Sequence, residues 1–355
     1  MPETARSLSY AQAIREAQDT CMARDPNVLL MGLGVPDPKG VFGTTTGLAG
    51  TYGANRVMDI PLSENAVTGI AIGAAITGMR PVLTHQRVDF ALVAMEQMVN
   101  QAAKWHYMFG GQMKVPLVIR MVIGRGWGQG PQHSQSLQSW FAHIPGLKVV
   151  LPATPRDAKG LLIAAIEDDN PVIYLEHRWL HGVKDVVPEG HYVTKLGEAR
   201  TVRRGGDVTI VATSYMVLEA LRAAEILHQE GIDAEIVDPR TLRPLDEASI
   251  LASVARTGRL VVADTGWRPF GAAGEIIALV TEQAFDRLKA APARVCLPDV
   301  PTPTAPALAA HFYPRAGHIA AAVLRQFGRT PDPALTAIPE GVHLDAPDPT
   351  FTGPF

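Results

Sequence analysis

Short apolar runs separated by helix-length amphipathic stretches recur along this chain, and the pattern starts over once. Strand-like runs fall at 27–32, 56–60, 80–85, 116–124, 147–152 and 171–177, with helical stretches at 8–24, 64–78, 90–108 and 155–168. Such alternation predicts a mainly parallel sheet, because each parallel pair needs a crossover helix that also covers it. Polar, turn-rich sequence follows over 181–207, and then a second series begins. Its strands are expected at 207–213, 233–239, 259–265 and in ARVCLP, with helices over 215–231, from Asp246, from Ala272 and over 317–328. The expected fold is therefore α/β in two domains of mainly parallel sheet flanked by helices. The first domain spans 1–190, a linker 191–203 and the second domain 204–330. The last 25 residues hold six prolines (Pro331, Pro333, Pro339, Pro347, Pro349 and Pro354), so 331–355 is expected as an extended arm.

Composition narrows the function. The 355 residues suffice for two cores, and 47% hydrophobic with 19% charged residues is a globular balance. A net charge of −3 leaves no cationic surplus to neutralise phosphates, which argues against nucleic acid. No apolar run approaches the ~20 residues that span a membrane, and the start, MPETARSLSY, lacks a signal peptide's apolar core. Cys21 and Cys296 form no CxxC pair, as expected of a reduced cytoplasmic protein.

Two segments are candidates for chemistry. In DIPLSENAVTGIAIGAAITG (59–78), Ser63 is placed to cap a helix whose first turn carries Glu64. Gly69, Ala71, Gly73, Ala74 and Ala75 make that helix small and apolar nearly all round, so it is expected to be buried, with Glu64 in a partly dry site. The second segment, GRGWGQGPQHSQS (124–136), has no GxGxxG spacing. It reads as a flexible wall that brings His133, a group titrating near neutrality, to a cleft. Each also has a structural reading, as a capping-region acid and a hydrogen-bonded loop histidine. His177 and His181 are four apart, but a metal site needs three or four convergent ligands and no third lies nearby. Arg87 faces either solvent or a substrate acid.

Taken together, GVFGTTTGLAGTYGANRVMDIPLSENAVTGIAIG, MEQMVNQAAKWHYMFGG, GPQHSQSLQSWFAHIPGLKVVLPATPRDAKGLLIAAIEDDNPVIYLEH and VDPRTLRPLDEASILASVARTGRLVVAD resemble the β subunit of the decarboxylating component of pyruvate and branched-chain 2-oxo-acid dehydrogenases. Acetoin dehydrogenases and transketolases are further relatives. The resemblance implies a pyrimidine-binding domain followed by a transketolase C-terminal domain, with thiamine diphosphate as cofactor. Glu64 matches the acid that hydrogen-bonds the aminopyrimidine ring nitrogen and so promotes loss of the thiazolium proton. Phe90 matches the aromatic that stacks on the aminopyrimidine, and Gln86 lies one turn before it, also toward the ring. His133 matches the histidine near the reacting carbon. AAIEDDNPV resembles a structural potassium loop, with Asp168 and Asn170 and the carbonyls of Leu117, Ala165 and Ile166 as its ligands.

The chain has no GDG motif, which in such enzymes precedes the Asn that holds Mg2+ on the diphosphate. The resemblance therefore implies an α-type subunit that carries GDG, an α2β2 heterotetramer with the cofactor between α and β, and a lipoyl acyltransferase as a further partner in the dehydrogenase reading. The chain departs from the family at Leu33 and Gly34, where GLGV replaces GEDV, at Arg87 in place of an aromatic, and at Gln138 in place of Glu. The expected activity is decarboxylation of a small 2-oxo acid with transfer of the acyl unit to lipoamide. A two-subunit carboligase that joins the unit to an aldehyde or ketone, and a catalytically silent regulatory partner, are the alternatives.

Overall fold

The computed structural model describes residues 6–126, 128–338 and 344–347. The chain forms two compact units. One takes in the chain up to Ile123 with Trp140–Leu196, and the other takes in Gly124–Ser139 and the chain from Gly197. The glycine-rich segment, which sequence order assigns to the first domain, thus packs with the second.

In the first unit six strands lie in the order Lys148–Val150, Val172–His177, Val118–Ile123, Arg80–His85, Val28–Gly32 and Val57–Met58, each parallel to its neighbour. Four of the six are buried along their whole length or nearly so, hence their unbroken Val/Ile/Leu runs. Helix Tyr10–Arg24 starts with a capping box: Ser9 Oγ accepts from Gln12 N at 3.2 Å, and Gln12 Oε1 accepts from Ser9 N at 2.8 Å. Helix Pro155–Glu167 starts with Pro155 behind the Thr154 cap. The stretch 90–108 forms three pieces: a 3-10 turn Phe90–Ala94, a π-helical turn Gln97–Ala102 and an α-helix Ala103–Met108.

In the second unit Ala293–Leu297, Leu260–Trp267, Val208–Ala212 and Ala234–Asp238 are parallel, and Arg200–Arg203 adds an antiparallel edge. That edge strand lies inside the expected linker, where four residues in turn-rich sequence leave no readable alternation. Val211, Val237, Ile250, Val254, Val262 and Ile276 form the core between sheet and helices. Helix Glu247–Thr257 is capped by Asp246, and Gly258 ends it in the left-handed region (φ 75°). The described part of the Pro-rich arm opens with a 3-10 turn, Pro333–Leu335, while the expectation for 339–343 and 348–355 lies outside the described residues. No helix among the described residues is long and apolar enough to cross a membrane.

Candidate functional site

In open parallel sheets, ligands are held beyond the carboxyl ends of the strands. In the first unit that edge is shaped by backbone economy. A side chain on Gly32 would come within 2.5 Å of the Thr84 carbonyl oxygen, so the ends of Val28–Gly32 and Arg80–His85 approach closely because Gly32 has none. The chain then turns at Gly34 (φ 70°), whose N–H donates to Asp59 Oδ1 at 2.9 Å, while Gln86 Nε2 donates to the Leu33 carbonyl at 3.0 Å. Gln86 is thus engaged with the loop where the chain departs from GEDV.

Glu64 opens the helix that follows the next strand. It is half-buried, and among the described residues its carboxylate meets no hydrogen-bond or charge partner. Ser63 occupies the N-cap position but its hydroxyl makes no capping bond, contrary to the sequence expectation. Helix Glu64–Ile76 packs against the turn opened by Phe90, a residue that is 38% exposed. The helix is not buried all round. Val67, Ala71, Ile72 and Ala75 face the core, whereas Ile70 is 60% exposed. Small residues permit close packing on every face but do not require it, so composition overstated the burial.

His133 belongs to the second unit and is half-buried on the glycine-rich loop. This segment, expected to be mobile, is tied by hydrogen bonds. Gly124 N donates to the Gln135 carbonyl at 2.9 Å, closing the neck. Gly126 N donates to Gln129 Oε1 at 2.9 Å, and Ser134 Oγ to the Gln129 carbonyl at 3.2 Å. Past the loop, Gln138 Nε2 donates to Asp264 Oδ1 at 2.9 Å, and Thr213 Oγ1 donates to the same oxygen at 2.5 Å. Burial pushes the Asp264 carboxyl up against the pull of those donors. An amide at 138 can donate to that buried acid, which the Glu of the resemblance could do only when protonated.

The other candidates are engaged within the first unit. Arg87 is buried and so does not face solvent, and its guanidinium lies 5.8 Å from the Phe42 ring centroid. Arg178 lies 4.8 Å from the same centroid, and burial lowers its pKa to about 10. His177 Nδ1 accepts from Trp179 N, and His181 stacks on Tyr10 at 5.9 Å. In the expected potassium loop, Asp168 Oδ1 accepts from Asn170 N at 2.8 Å and Asn170 Nδ2 at 3.0 Å, and Oδ2 meets Lys148. Arg80 Nη1 donates to the carbonyls of Ile166 (3.0 Å) and Asp168 (3.1 Å), and Val172 N donates to that of Leu117 (2.9 Å). Each carbonyl keeps a second lone pair.

Sequence reasoning missed a buried ion network. Arg120 Nε and Nη2 donate to Glu176 Oε1 and Oε2 at 2.6 and 3.0 Å, and Nη1 donates to Gln18 Oε1 at 2.8 Å. Its signal was one charge of each sign inside the apolar runs PLVIRMVIG and PVIYLEH.

Residues 6–182 match the transketolase pyrimidine-binding domain, and residues 197–319 match the transketolase C-terminal domain. The chain is 50% identical over 328 residues to the β subunit of acetoin:2,6-dichlorophenolindophenol oxidoreductase of Cupriavidus necator, covering 90% of this chain and 97% of that one. It is 41% identical to the mitochondrial pyruvate dehydrogenase E1 component subunit beta-2 of Oryza sativa, covering 94% and 90%. A split-gene transketolase, solved as an inactive β4 tetramer, shares the fold at TM-score 0.76 with 23% identity, over 90% of this chain and 99% of that one.

Proposed function

The chain belongs to the family of β subunits that includes those of acetoin and pyruvate dehydrogenases, built from transketolase pyrimidine-binding and C-terminal domains, and from that premise we propose that it is the β-type half of a thiamine-diphosphate enzyme that decarboxylates a small 2-oxo acid such as pyruvate. The observation that carries this reading is Glu64: a half-buried carboxylate at a helix N-terminus, without a partner among the described residues, beside the turn opened by Phe90. Thiamine diphosphate, when bound, supplies a thiazolium carbon that can carry negative charge. Glu64 holds a proton at the pyrimidine nitrogen, Phe90 offers a flat apolar face to that ring, and Gln86 borders it. His133 moves a proton near the reacting carbon. Mg2+ on the diphosphate falls to the α-type partner, which carries GDG in an α2β2 assembly. K+ falls to Asp168, Asn170 and the carbonyls of Leu117, Ala165 and Ile166. A cytoplasmic enzyme that passes its acyl unit to a lipoyl acyltransferase completes the reading.

The test is reconstitution. The purified chain alone is expected to bind thiamine diphosphate weakly and to lack activity, and the α-type partner is expected to restore both. Tight magnesium-dependent binding by the isolated chain overturns the proposal. The 50% identity to an acetoin oxidoreductase subunit favours a second reading, cleavage of acetoin instead of a 2-oxo acid. Assays with pyruvate and with acetoin, each offered lipoamide, a dye or an aldehyde, separate these readings and the carboligase.

His133 is tested by two measurements on one reconstituted variant. His133→Ala is expected to slow product formation by about 10²-fold while hydrogen–deuterium exchange at the thiazolium carbon continues. Equal losses in both would make His133 a support of the cofactor site, and an unchanged variant would remove it from the mechanism.

A further inference from the structure

The Pro-rich arm has no role in the chemistry above, and it lies past the matched domain, which ends at residue 319. Its described parts are nevertheless firmly seated in the second unit. A side chain on Gly317 would fall 1.6 Å from the Leu335 carbonyl oxygen, so the arm's backbone rests directly on helix Ala316–Gln326. Further on, Arg315 Nη2 donates to the carbonyls of Leu344 and Ala346, while its Nη1 donates to Tyr215 Oη at 3.0 Å and Glu219 Oε1 at 3.2 Å. Two anchored carbonyls thus flank Asp345, which is 7% exposed.

Asp345 points at the foot of the glycine-rich loop. Its Oδ2 accepts from Arg125 Nη2 at 2.9 Å, and Arg125 is fully buried. Arg125 Nη1 and Nη2 also donate to the carbonyls of Pro303 (2.7 Å) and Thr304 (3.1 Å). Those carbonyls are neutral, so among the described residues Asp345 is the anion that pairs with the buried guanidinium. A buried charge stripped of its counter-ion is strongly destabilised, and the segment that carries it must shift to reach water. Arg125 adjoins Gly124, whose bond to Gln135 closes the loop neck two residues from His133. Gly130 lies against Thr304 as well, since a side chain there would come within 2.9 Å of Thr304 Oγ1.

We infer that Asp345 is a positioning residue: through its buried ion pair with Arg125 it fixes the foot of the glycine-rich loop, and with it the place from which His133 acts. The inference rests on the reading of His133 given above. It assigns a task in the reaction to a segment outside the matched domains.

The test uses the full chain reconstituted with its α-type partner. Asp345→Asn keeps shape and removes the charge. It is expected to lower product formation by about ten- to a hundredfold, as small misplacements of a reacting group do, while exchange at the thiazolium carbon stays near wild type. Hydrogen exchange of the loop amides is expected to quicken. In a His133→Ala background, Asp345→Asn is expected to add no further loss, because the group it positions is gone. Should Asp345→Asn fail to fold, Asp345→Glu retains the charge one methylene further out and carries the same comparison. Wild-type product formation in the Asp345 variant, equal losses of exchange and product, or a further loss on top of His133→Ala would each overturn the positioning role. A silent His133→Ala would instead remove the reading of His133, which makes the two failures distinguishable.

Discussion

Glu64→Gln is expected to slow product formation by about 10²-fold or more in the reconstituted enzyme, the usual worth of a positioned acid–base group. The substitution preserves size and hydrogen-bonding length and removes only the ionisable proton. The effect should be large because nothing else described in the structure can take over. Among the described residues the carboxylate has no hydrogen-bond or charge partner, and it stands at the N-terminus of its helix. Its signature is hydrogen–deuterium exchange at the thiazolium carbon, which should fall together with turnover. Near-wild-type exchange in the variant would mean that Glu64 is a solvated first-turn acid and nothing more.

Arg120→Met is expected to cost about 3–5 kcal/mol of stability, enough to deplete the folded chain, because it leaves the Glu176 carboxyl buried with its bidentate partner gone. Arg120 and Glu176 are 0% and 1% exposed. Burial alone would push the Glu176 carboxyl up, but Arg120 and His181 outweigh it and hold that carboxyl below its ordinary value. The sign follows. A depressed acid stabilises the fold above the unfolded-state value, and the contribution is lost as pH falls through the folded one. In Arg120→Met burial prevails and the carboxyl takes up a proton on folding, so the deficit should shrink as the solution is acidified through the carboxylate range. Arg120→Met/Glu176→Leu, which removes both charges, should recover much of the loss. Denaturant unfolding of the three variants checks this, and a double variant worse than the single one would refute it.

The parallel strands were readable because a strand buried on both faces must be a continuous apolar run. RPVLTH and PVIYLEH show this within a residue at either end. Arg200–Arg203 and the pairing of Ser7–Ser9 with Lys184–Val186 were not, since three or four residues beside turns carry no period to detect. Glu64, Phe90, Gln86 and His133 emerged from local surroundings and from family resemblance. The loop's ties did not. Gln138 meets Asp264 across 126 positions and Arg125 meets Asp345 across 220, and no local pattern encodes which distant acid will neutralise a given base. The open face of helix Glu64–Ile76 was misjudged for the same reason: small apolar residues state what a helix can pack against, and neighbours decide whether it does.

The antiparallel strand at the rim of the second sheet has a bearing on how the protein behaves in a crowded solution. Unpaired backbone groups on a sheet edge are a template for another chain, and cationic side chains there discourage growth. Arg200–Arg203 pairs with Ala234–Asp238 along one side and carries Arg200 and Arg203, with Arg204 next in line. Arg203 meets Asp233 at 2.9 Å and Arg204 meets Glu235 at 3.7 Å, so part of that charge is balanced within the chain. Long cationic side chains along the rim hinder edge-to-edge pairing with a second copy, and the charge left over acts most at low ionic strength, fading as salt shortens the screening length to about 3 Å at 1 M.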